Sequence, residues 1–117
     1  MKYVLISSYI NNQIFSYIDN EHVKHSIPVQ KIIKYIKDNS IKPEIAKLDN
    51  FDIDLSHLDK SRVAIADTKF PIIVDPAFSS KSHITCGVID GMHRIRKLKE
   101  QGKKYVKVYF VNCDTIE

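Results

Sequence analysis

Asp90-Gly91-Met92-His93-Arg94 puts a carboxylate, a glycine, an imidazole and a guanidinium into one short run, directly after the apolar pair Val88-Ile89. Asp-Gly turns a chain tightly, because glycine takes positive φ without a Cβ clash. The charged residues that follow carry Met92, Ile95 and Leu98 at helical spacing. A helix that starts at this turn offers free N–H groups and the positive end of its dipole, with His93 and Arg94 beside them. Two cations at that end are locally unfavourable, since the dipole prefers acids there. The arrangement therefore points to an anionic ligand, a phosphate above all. The alternative is a plain strand-to-helix turn in which Asp90 only caps N–H groups.

The run apolar-Asp-Gly-x-His-Arg, then a helix ending in Gly102, then the β-rich Tyr105-Val106-Lys107-Val108-Tyr109-Phe110-Val111, resembles the ParB/sulfiredoxin-like superfamily. Upstream, Ser61-Arg62-Val63, Ala66-Asp67 and Phe70-Pro71-Ile72-Ile73-Val74 are similar to the segment before this turn in small ParB-like proteins, many of them phage-encoded. The resemblance spans roughly residues 60–112. It implies a compact α+β domain that binds nucleotide phosphates at the turn, through the backbone at Gly91 and Met92 and the side chains of Arg62, His93 and Arg94. Asp67, Asp90 and His93 would be the catalytic groups of an NTPase or phosphotransferase, with Mg²⁺ on Asp90. Met92 stands where sulfiredoxins carry their catalytic cysteine, so the resemblance does not extend to sulfinic acid reduction. The turn also lacks the paired arginines of chromosome-partitioning ParB proteins, and no helix-turn-helix follows residue 117, so a complete partitioning protein is not expected.

Two further readings compete. Arg94, Arg96, Lys97, Lys99, Lys103 and Lys104 form a basic stretch interrupted by Glu100 alone among acids. It suits a nucleic-acid-binding or nuclease module, although no aromatics are interleaved for base stacking. A non-catalytic interaction protein, such as a phage-type inhibitor, is the other, with a protein as partner. Elsewhere, His22-x-x-His25 could share a helical face as metal ligands, but no third ligand completes a set. Asp49, Asp52, Asp54 and Asp59 read as a solvated acidic loop. Cys86 and Cys113 lack metal or disulfide spacing and read as free thiols on strands.

At 117 residues, with 44% hydrophobic and 27% charged residues, the chain is expected to fold as one domain over residues 1–117 around a single core. The net charge of +4 helps to attract phosphates without specifying nucleic acid. No apolar run reaches the ~20 residues of a membrane span, and the N-terminal apolar block is too short for a signal peptide. A cytoplasmic protein with no membrane partner is expected.

The elements that position the turn follow from periodicity. Tyr3–Ile6 and Gln13–Ile18 read as a hairpin about Asn11-Asn12. Ser26 and Pro28 open an amphipathic helix to about Asp38, with Val29, Ile32, Ile33 and Ile36 on its core face. Glu44–Leu48 reads as a helical turn, and Ser61 as the N-cap of a short helix to Ala66. Phe70–Asp75 and His83–Ile89 form a strand pair, followed by a helix from Met92 to Gln101 with a wet cationic face, and a last strand from Tyr105 to Val111. The expected fold is a mixed β-sheet with packed helices.

Overall fold

The computed structural model describes residues 7–11, 14–19 and 21–116. The strand expected over Tyr3–Ile6, and Asn12 of the expected turn, lie outside the described residues. The N-terminal part is a three-stranded antiparallel sheet, β1 (Ser7–Asn11), β2 (Ile14–Ile18) and β3 (Lys24–Pro28), followed by helix α1 (Val29–Asp38). Ser26 belongs to β3, where its hydroxyl lies 2.9 Å from that of Ser16, and Pro28 is the residue before the helix. The expected cap is thus replaced by cross-strand pairing. His22 and His25 share no helix either. His22 sits in a turn at φ 63°, and His25 lies in β3, stacked on Tyr17 and 2.9 Å from Asp19.

The rest of the chain builds a four-stranded sheet in the order β4 (Glu44–Lys47), β7 (Tyr105–Phe110), β5 (Ile72–Val74), β6 (Val88–Asp90). It is mixed: β5 runs parallel to β7, and the outer two pairings are antiparallel. Helix α2 (Lys60–Ile65) and helix α3 (Met92–Glu100) pack together, α3 linking β6 to β7. The molecule is therefore an α+β domain with a mixed sheet, and the N-terminal strands form a second sheet.

The apolar run Ile72-Ile73-Val74 is buried because both faces of the sheet are covered. Ile72 and Val74 join Val106, Val108, Ile95 and Leu98 in the core under α3. Ile73 points the other way, into a core with Ile89, Val111, Phe15, Tyr17 and the α1 residues Val29, Ile32 and Ile36. The sheet is thus the middle layer, with α3 on one side and the N-terminal unit on the other.

Several local expectations give way to tertiary pairing. Glu44–Lys47 is a strand rather than a helical turn, because the open edge of β7 supplies partners from Tyr105 to Val108 and Ala46 is buried in the core beneath. Leu48–Asn50 then forms a single 3-10 turn. Asp59, not Ser61, caps α2, its carboxylate accepting from Ser61 N at 2.8 Å. The strand expected over His83–Ile89 shrinks to β6. Gly87 at φ +84° breaks the extended run, and a Cβ there would meet the Asp75 carbonyl at 2.8 Å. Cys86 is half-buried in the loop before β6 and Cys113 is buried in a closing 3-10 turn, so neither lies on a strand. No helix of the described residues is long and apolar enough to cross a membrane.

Candidate functional site

Helix α3 begins where edge strand β6 ends. Gly91, at φ 112°, makes the turn between them, and an added Cβ would press on Ile72 at 2.6 Å and on the Arg94 guanidinium at 3.1 Å. Only glycine fits there without displacement. Among the described residues, no side chain caps the helix. The Asp90 carboxylate, one residue before the Gly91 N-cap, lies 2.9 Å from Arg94 Nη2 instead of capping the helix. The opening N–H groups of α3 are left without a side-chain acceptor.

Arg94 is turned inward. Its Nη1 donates to the carbonyls of Phe70 and Pro71, each at 2.9 Å, while Nη2 pairs with Asp90, and the side chain is only 11% exposed. The guanidinium therefore ties the end of β6 to the start of β5 instead of presenting an open fork. The other basic residues within α3, Arg96, Lys97 and Lys99, are spent in the same way. Arg96 donates to Leu58 O at 2.9 Å and faces Glu100. Lys97 donates to Ala64 O at 2.6 Å and Ala66 O at 2.9 Å, and Lys99 to Phe51 O at 2.6 Å. The cationic face of α3 is not the wet face expected from its composition. It is a row of donors satisfying carbonyls that have no partner in a helix or sheet: those of the irregular stretch before α2, and those at the C-terminal end of α2, Ala64 and Ala66.

What remains at the turn is a different set of side chains. A cleft of about 590 Å³ is lined by Asp90, Gly91, Met92 and His93, by Arg62 of α2, and by His57 from the acidic loop. Cys86 and Gly87 form part of its wall. Burial, and then the positive charge of Arg62, hold the His93 imidazole below its usual range; Asp59 opposes this, while Arg96 and His57 add to it. A smaller groove of about 320 Å³ shares Arg62, Asp90, Gly91 and His93 with the cleft and adds Asp67 and Arg94.

The residues singled out from the sequence thus meet around one turn, in different roles. Arg62 is exposed and lines both depressions, as does half-buried His93. Gly91 supplies the turn and Met92 the first helical position. Asp67 reaches the smaller groove only, its Oδ1 accepting from Lys69 N at 3.0 Å. Sequence reasoning missed His57, because an isolated histidine in an acidic loop has no periodicity to mark it. It also missed the Phe70 and Pro71 carbonyls that take up Arg94, since they lie more than twenty residues away along the chain. Among the described residues, no group of three or more His, Cys, Asp or Glu side chains is placed to hold a metal ion. Asp90 has one oxygen engaged by Arg94, which leaves Oδ1 as its contribution to any cation. The chain matches no family model, no curated protein and no solved structure.

Proposed function

We propose that the cleft at the start of α3 binds the phosphates of a nucleotide. One observation carries this reading: Arg62, His57 and His93 converge on a helix start that no side chain caps. A phosphate seated there would accept from the first N–H groups of α3 and from the Arg62 guanidinium, the strongest hydrogen-bond geometry available to it. Burial and then Arg62 hold the His93 imidazole below its usual range, and an anion seated beside it would raise its pKa, because a nearby negative charge favours the charged imidazole. Arg94 acts as a positioning residue that holds the turn in shape through Asp90 and two carbonyls.

The resemblance of residues 60–112 to ParB/sulfiredoxin-like domains supports the same ligand class and extends the proposal to that fold. In this reading Mg²⁺ accompanies the nucleotide. Magnesium usually keeps several waters and takes one or two carboxylates plus phosphate oxygens, and Asp90 Oδ1 fits that small protein share. Turnover would be hydrolysis or phosphoryl transfer, in which positioning and charge neutralisation do most of the work. The basic stretch of α3 lends little to a nucleic-acid reading, since its donors already serve carbonyls.

A thermal-shift panel of ATP, CTP, GTP and ADP, each with and without Mg²⁺, tests the proposal. A ligand at a hundred times its Kd stabilises the native state by about 2.7 kcal/mol. One nucleotide is expected to raise the melting temperature, and Arg62→Ala and His93→Ala to abolish the rise. No shift with any nucleotide at millimolar concentration would overturn it.

A further inference from the structure

Among the described residues that line the smaller groove, two are large, apolar and exposed. Ile65, at the end of α2, is 82% exposed, and Phe70, just before β5, is 63% exposed. Both line the smaller groove, together with Arg62, His93 and Arg94. A solitary exposed apolar residue needs no explanation, but an aromatic and an isoleucine in one groove with a guanidinium and an imidazole form a surface of mixed character. The backbone of Phe70 is also fixed. Its carbonyl accepts from Arg94 Nη1, the same guanidinium that braces the turn through Asp90. The larger cleft offers no exposed aromatic ring: Phe15 in its wall is buried, and its accessible apolar side chains, Ile53, Leu58 and Met92, are half-buried and non-aromatic.

We propose that this groove seats the base of the bound nucleotide, stacked on the Phe70 ring and flanked by Ile65, an inference that rests on the nucleotide reading above. Every base has a π face, so stacking on an aromatic ring gives affinity with little base selectivity. Charge fixes the orientation of the ligand: its phosphates lie against Arg62 and His93, which the groove shares with the cleft, and its base lies outward against the two apolar side chains. The ligand class this selects is a nucleoside phosphate, in preference to inorganic phosphate or to a phosphorylated side chain.

Isothermal titration calorimetry with ATP, CTP and inorganic triphosphate separates the base from the phosphates. The parent protein is expected to bind at least one nucleotide more tightly than triphosphate. Phe70→Ala is expected to weaken that nucleotide at least about fivefold and to leave triphosphate affinity unchanged. The chain contains no tryptophan, so Phe70→Trp introduces a single tryptophan, excited selectively over the tyrosines, whose fluorescence the nucleotide quenches and triphosphate does not. That variant also keeps the test decisive if Phe70→Ala fails to fold. Nucleotide binding unaltered in Phe70→Ala, absent quenching in a nucleotide-bound Phe70→Trp, or equal affinity of the parent for nucleotide and triphosphate would overturn the base seat while leaving the phosphate site standing. A parent protein that binds neither would overturn both.

Discussion

Arg94 shows how far the role of a single residue depends on its surroundings. At the start of a helix an arginine looks like a phosphate ligand, yet here its guanidinium is divided among Phe70 O, Pro71 O and Asp90. Arg94→Ala is therefore expected to cost roughly 2–3 kcal/mol of stability in urea unfolding without any ligand, the scale of hydrogen bonds to a charged group. Arg94→Lys should recover only part of that, because an ammonium cannot reproduce the planar fork. A variant as stable as the parent would mean the guanidinium is not a brace. His93 gives a pH signature of its own. Its folded-state pKa lies below the unfolded value, through burial first and Arg62 next, so the unfolded chain binds the extra proton in the interval between the two. Its contribution to stability is accordingly full above about pH 6.5 and lost as the pH falls toward the folded pKa. Nucleotide binding should raise the His93 pKa, which an NMR titration of its ring protons with and without ligand would read directly.

At the scale of elements, the short strands are held by side chains that reach across the chain. Asp75 follows β5 and is 2% exposed. Its Oδ1 accepts from Ala77 N at 2.9 Å and its Oδ2 from Cys113 N at 3.0 Å, fastening the closing 3-10 turn (Cys113–Thr115) to the middle of the sheet. Burial pushes its carboxyl above the usual range, against the pull of these bonds. Asp75→Ala would leave both N–H groups without their acceptor and is expected to cost on the order of 2–4 kcal/mol in chemical denaturation. Amide exchange at Cys113 should speed up with it. Unchanged protection there would show that the turn is held by apolar packing alone. The donors of α3 play the same part for residues 51–66. Before α2 that segment has little regular structure, and Arg96 and Lys99 provide partners that a strand or helix would have supplied, while Lys97 serves the carbonyls at the C-terminal end of α2.

For the whole molecule, the net charge of +4 overstates the charge available to an external polyanion. Arg94, Arg96, Lys97 and Lys99 all donate to backbone carbonyls, whereas Lys103 and Lys104 are exposed beyond the far end of α3. The nine residues of α3 alone put about 14 Å, at the helical rise per residue, between Gly91 and the end of the helix that these two lysines follow. Reversing both, in Lys103→Glu/Lys104→Glu, is expected to leave nucleotide affinity nearly unchanged, while any duplex DNA binding should be weak and fall steeply between low and moderate salt. Tight DNA binding by the parent that this double variant abolishes, with no nucleotide binding detectable, would replace the nucleotide reading with a nucleic-acid one.

The sequence by itself determined what local chemistry dictates. The isoleucine spacing after Pro28 marks α1, the unbroken apolar run at Ile72–Val74 marks a strand covered on both faces, and Asp90-Gly91 marks the turn from β6 into α3. Periodicity and glycine conformation are properties of neighbouring residues, so they are legible without a fold. The strand at Glu44–Lys47, the second sheet and the gathering of His57, Arg62 and His93 into one cleft were settled by the tertiary structure alone. Each depends on which distant backbone or side chain arrives alongside. The clearest case is the basic stretch of α3: whether a lysine or arginine faces water, a phosphate or a carbonyl depends on where the chain leaves unpaired acceptors, and here residues 51–66 place them within reach.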